Sequence, residues 1–85
     1  KLEMIIKDNG NSSIIDSRYS GDPKVVPIDN IHRNILDYAD KVVKISELES
    51  IGYSNSEVRE AIAFLIQSGF VLKEGAQVLS LLNSA

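Results

Sequence analysis

The sequence predicts an α+β domain in which three helices carry a C-terminal β-hairpin and follow an N-terminal one, and three observations predict it. Residues 1–16 alternate apolar and polar side chains around an Asn-Gly pair, the apolar period turns helical from residue 29, and two short apolar runs beyond Gly69 flank a Glu-Gly pair. At 85 residues the chain holds a single domain, 1–85, because folding at this size buries only about 60 to 65% of the unfolded surface and supports one modest core.

Hydrophobic residues at 44% and charged residues at 25% exclude a wholly disordered or collagen-like chain. Nine Lys and Arg stand against 12 Asp and Glu, a net charge of −3, so any contact with nucleic acid has to be local. The absence of Cys removes disulfides, thiol catalysis and thiolate metal sites, and His32 alone cannot build a multi-histidine cluster. Apolar runs stop far short of the roughly 20 residues that span a bilayer. No basic stretch leads into an apolar one, which excludes a signal peptide here. A start at Lys1 points to a piece of a longer protein, and the lack of Cys agrees with a cytoplasmic location.

The N-terminal hairpin comes first. Leu2, Met4 and Ile6 share a face, and Asn9-Gly10 suits a two-residue loop. Counting outward from that loop pairs Ile5 with Ile14 and Met4 with Ile15, and sets Glu3 against Asp16. Residues 17–28, with Gly21-Asp22-Pro23 and Pro27, read as an irregular connector. A first helix follows over 29–40, where Ile28, Ile31, Ile35 and Tyr38-Ala39 recur at helical spacing after Asp29, a candidate N-cap.

Lys41-Val42-Val43-Lys44-Ile45 suits a short extended segment. Ser46 then caps a brief second helix through Glu47, Leu48 and Ile51, which Gly52 ends. Ser54-Asn55-Ser56-Glu57 fits the capping box and opens a third helix over 55–68, with Val58, Ala61, Ile62 and Leu65 on its apolar face. Ser68-Gly69 stops it. Phe70 to Lys73 and Ala76 to Leu79 form the second hairpin around Glu74-Gly75, pairing Val71 with Val78 or Phe70 with Leu79.

Catalysis finds no support. His32 lies near Asp29 and Asp37, but no nucleophile or oxyanion donor is fixed beside it, and a solvent-facing helix histidine explains it. Glu47 with Glu49 and Glu57 with Glu60 lack the partners of a metal site and read as solvated faces and helix N-terminal charges. With no glycine-rich phosphate loop either, no cofactor is expected.

Residues 45–71, from Ile45-Ser46-Glu47-Leu48 through Gly52-Tyr53-Ser54-Asn55-Ser56-Glu57-Val58 to Leu65-Ile66-Gln67-Ser68-Gly69-Phe70-Val71, resemble the winged helix-turn-helix pattern. The shared features are an apolar second helix, a turn, a capped third helix ending in Leu-x-x-x-Gly, and an apolar strand start. The resemblance spans about 29–82 as a winged-helix core and leaves the N-terminal hairpin outside it. It implies a DNA-binding module of a prokaryotic transcription regulator or a replication or recombination protein, reading duplex DNA with the third helix.

On that reading Asn55, Ser56, Arg59 and Gln67 are the candidate base or phosphate contacts, Lys41 and Lys44 touch backbone, and Lys73 sits near the wing tip. So few cations favour a homodimer that doubles the phosphate contacts. Lys73 is followed by Glu74, a departure from the family's basic wing. Phe64 and Ile66 flank the inward face of the third helix and are the candidate protein interface, unless the N-terminal hairpin covers one of them. The alternative reading is therefore a winged-helix protein-interaction or accessory domain of a larger protein that does not bind DNA.

Overall fold

Alternating side chains at the N-terminus fold into strands, the helical period beyond Asp29 folds into helices, and both share one core. The computed structural model describes residues 2–6, 11–18 and 21–82. Their order is β1 (Leu2–Ile6), β2 (Ser12–Asp16), β3 (Lys24–Ile28), α1 (Asn30–Tyr38), β4 (Val43–Lys44), α2 (Ile45–Leu48), α3 (Asn55–Gln67), β5 (Val71–Glu74) and β6 (Gln77–Ser80). The class is α+β: the described residues form three helices and two small antiparallel sheets, ordered β1-β2-β3 and β4-β6-β5.

The N-terminal part is a three-stranded sheet rather than a hairpin, because Lys24–Ile28, expected as connector, pairs with β2. Val25 and Val26 favour extended backbone, and Pro27 is tolerated because β3 is an edge strand, where a missing donor need not cost a ladder bond. The register of β1 on β2 is also one residue away from expectation. Met4 faces Ile14 and Glu3 faces Ile15, with Leu2 opposite Asp16. This alignment gathers Leu2, Ile14 and Ile28 on the buried face, and a one-residue slip would turn one strand's apolar set outward. The expected Asn9-Gly10 loop lies outside the described residues.

Asp29 precedes α1 as its N-cap, and its backbone N–H donates to Nδ1 of His32 at 3.1 Å, the reach-back that Glu or Gln makes in the usual capping box. The second helix is a single turn that starts at Ile45, so Ser46 lies inside it and does not cap it. The Ile45 N–H donates to the Ala76 carbonyl at 2.8 Å, which sends the chain straight from the second sheet into the helix. A hydrogen bond of 2.8 Å from Asn34 Nδ2 to the Tyr53 hydroxyl ties α1 to the turn before α3.

Both ends of α3 are locally specified. Ser54 Oγ accepts from the Glu57 N–H at 3.2 Å while Glu57 Oε1 accepts from the Ser54 N–H at 3.3 Å, the capping box read from the sequence. At the other end the Phe70 N–H reaches the Leu65 carbonyl and the Gly69 N–H reaches the Ile66 carbonyl, with Gly69 at φ +76°, the Schellman arrangement. That cap consumes Phe70, whose ring is buried, so β5 begins at Val71. The hairpin register moves with it: Leu72 pairs with Leu79 and Lys73 with Val78 around a Gly75-Ala76 turn, not Val71 with Val78 or Phe70 with Leu79. Gly75 takes the positive φ of +61° that the first position of such a turn requires.

One core joins the two sheets. Leu2, Ile14 and Ile28 of the first sheet, Ile35, Leu36 and Ala39 of the α1 region, Leu48, Val58 and Leu65 of the later helices, and Phe70, Val71 and Val78 beyond them form one buried cluster. A polar tie reinforces it. Arg18 grips the Asp16 carboxylate with Nε at 2.9 Å and Nη2 at 3.0 Å, and its Nη1 donates to the Gly69 carbonyl at 2.8 Å, linking the end of β2 to the cap of α3.

Candidate interaction surface around the third helix

Burial of Val58, Ala61, Ile62 and Leu65 orients α3 and leaves its remaining positions on two flanks. Asn55, Ser56, Arg59 and Gln67 are all exposed, as the helical period requires. They do not make one patch, since Asn55 and Ser56 occupy the first turn and Gln67 lies about 18 Å further along the axis. The three lysines are exposed too but face different ways. Lys44 stands opposite Gln77 on the outer face of the second sheet, whereas Lys73 stands opposite Val78 on the face turned to the helices, and Lys41 precedes β4.

Between α3 and β5 lies an open groove of about 230 Å³, lined by Ile45, Arg59, Ile62, Ala63, Ile66 and Lys73. It brings together three residues singled out in the sequence, Arg59, Lys73 and Ile66, and adds Ile45 and Ala63, which carried no signal there. Ile66 is 36% exposed on its wall. The Arg59 side chain is 72% exposed, and its Nε stands 4.0 Å from Glu49 Oε1, a distance at which an exposed pair contributes little.

The other flank of α3 faces α1 across an open cleft of about 260 Å³ lined by Asp29, His32, Glu57, Glu60 and Phe64, among others. Here His32 is half-buried rather than solvent-facing. Its ring packs on Phe64 with centroids 4.8 Å apart and planes tilted by 46°, and its Nδ1 is occupied by the Asp29 N–H. Burial lowers the imidazole pKa, and the nearby Asp29 carboxylate partly opposes that shift. Phe64 is half-buried, with His32 of α1 against its ring. The Asp29-x-x-His32 spacing was the available signal, with His in the place where a capping box normally has Glu.

A third feature is the outer face of the second sheet. Leu72 and Leu79 stand opposite each other there, and Val42 lines the same shallow depression; Val42 is 59% and Leu72 53% exposed.

Among the described residues no group of three or more His, Asp and Glu side chains could hold a metal ion, and no helix is long and apolar enough to cross a membrane. The surface around α3 therefore offers shape, apolar contact and mixed charge. No family model, curated protein or solved structure matches the chain.

Proposed function

We propose that the chain is a winged helix-turn-helix module that docks a protein partner through the surface around α3, in preference to reading duplex DNA. The order α1, β4, α2, α3, β5, β6, with β6 between β4 and β5 in the sheet, supports the winged-helix reading. The observation that carries the protein-binding reading is the character of the exposed surface: Glu57 and Glu60 line one flank of α3, while Arg59 and the exposed aliphatic side chain of Ile66 line the other. Phosphate binding rewards a continuous cationic stripe, and carboxylates on the inserted helix would be repelled by the duplex. Exposed aliphatic patches with mixed charge suit protein contact.

The DNA reading keeps one specific support, the exposure of Asn55, Ser56 and Arg59 on the first turns of α3. It calls for a two-fold dimer with third helices about 34 Å apart. Two parallel measurements on the full chain decide between the readings. A mixed-sequence duplex is titrated from about 50 to about 200 mM salt, and a random peptide library is panned. The expected result is a saturable peptide ligand whose amide shifts map to α3 and the residues that line its flanks, with no saturable duplex binding at the lowest salt. Duplex binding that is weakened by Arg59→Ala and strengthened by Glu60→Gln would reverse the conclusion.

A further inference from the structure

The groove between α3 and β5 differs in charge from the cleft on the other flank of the helix. The chain carries net charge −3, yet none of the six side chains lining this groove is acidic, and the two charged ones, Arg59 and Lys73, are cations. The cleft on the opposite flank of the same helix holds Asp29, Glu57 and Glu60 instead. The groove wall is aliphatic: Ile45 from α2, and Ile62, Ala63 and Ile66 from α3, with the alkyl stems of Arg59 and Lys73 extending it. Its volume of about 230 Å³ is below the roughly 300 to 1,000 Å³ of small-molecule sites and suits one or two inserted side chains.

We propose that this groove is a docking slot for an acidic peptide segment of the partner, an apolar side chain seating on Ile45, Ile62, Ala63 and Ile66 while flanking carboxylates pair with Arg59 and Lys73. The proposal rests on the protein-binding reading and names the chemistry of its ligand. Charge complementarity selects the class. Negative charge more than about 8 Å away is largely screened at physiological salt, and inside that range Glu49 opposes Arg59 from beside the groove rather than from its lining. Glu49 does not satisfy Arg59, because 4.0 Å from Nε is too long for a hydrogen bond, so an incoming carboxylate can take the guanidinium by the shorter paired geometry. Phosphate groups of a duplex would meet the same cations but would leave the aliphatic wall unused.

The test pans the full chain against two peptide libraries of equal diversity, both rich in Leu, Ile and Phe, one with Asp and Glu and the other with Lys and Arg. The acidic library is expected to enrich, with amide shifts centred on Ile62, Ala63, Ile66 and Lys73. Arg59→Gln and Lys73→Gln should each weaken a selected peptide by roughly up to five-fold, the range of an exposed charge pair. Ala63→Gln, which fills the groove from an exposed helix position at only a small cost in helix propensity, should weaken it by about ten-fold or more while thermal unfolding stays cooperative. Enrichment of the basic library overturns the acidic class and leaves the protein-binding reading standing. Acidic ligands indifferent to Ala63→Gln, with shifts on Val42, Leu72 and Leu79, overturn the groove as their site. Failure of both libraries overturns the proposal, and duplex binding in the same samples shows that the protein-binding reading has failed with it.

Discussion

His32 shows how one side chain couples local structure to pH. Its Nδ1 accepts the Asp29 N–H, so the bond exists only while that nitrogen is unprotonated, and burial against Phe64 lowers the pKa in the same direction. The folded state thus prefers the neutral ring. Its contribution is complete above the ordinary imidazole value of about 6.5 and declines as pH falls through that value toward the lower folded one. Urea unfolding of the native chain should show a loss of stability between about pH 7.5 and pH 5 that His32→Gln lacks, because the amide can accept the same bond without titrating. Equal slopes in the two chains would disprove the coupling. The Asp16 carboxyl titrates well apart from this window, since its hydrogen bonds from Arg18 hold it down to about 2 against an opposing effect of burial. A third residue, Ser12, is buried, and its hydroxyl has no hydrogen-bond partner among the described residues. Ser12→Ala should therefore leave stability unchanged or raise it by up to about 1 kcal/mol, and a loss on urea unfolding would reveal a bond that this geometry does not contain.

At the scale of elements, α3 is the most completely specified segment. Ser54→Ala should cost about 0.5 to 2 kcal/mol by leaving the Glu57 N–H without its acceptor. Chemical denaturation measures this, and no loss would contradict the capping account. The helix was legible from residue 54 to residue 69 because its start, its apolar face and its stop are each written within a turn of where they act. The second helix and both hairpin registers were less legible. Ser46 has the chemistry of a cap, but the Ile45 N–H bond to Ala76, which continues the pairing of β4 with β6, fixes the helix start two residues earlier than a Ser46 cap would. In the C-terminal hairpin the turn residues suggested one register, and the burial of Phe70 in the Schellman cap set another.

For the whole molecule the consequence is that the N-terminal sheet is part of the domain. Leu2, Ile14 and Ile28 enter the same buried cluster as the helices, and Arg18 bonds to the carbonyl of Gly69. Each of those three side chains contributes roughly 1.5 to 3 kcal/mol by burial. Together they approach the total stability of an 85-residue domain, about 4 to 13 kcal/mol. A chain beginning at Asp29 should thus lose its cooperative thermal transition, even though it retains every element of the winged-helix pattern. A sharp unchanged melt of that truncation would show that the sheet is an appendage.

The α+β class, the first and third helices, the caps of α3 and the outward position of Asn55, Ser56, Arg59 and Gln67 are legible along the chain, because they follow from spacings of three or four residues and from hydrogen bonds between near neighbours. Long-range contact set the rest. It made a strand of Lys24–Ile28 by supplying β2 as a partner, and it chose the register that buries Leu2 with Ile14. It placed His32 under Phe64 and drew Arg59, Lys73 and Ile66 to one groove while sending Lys44 to another face. Those residues meet only when α3 packs against the second sheet, and no local period in the chain encodes the meeting.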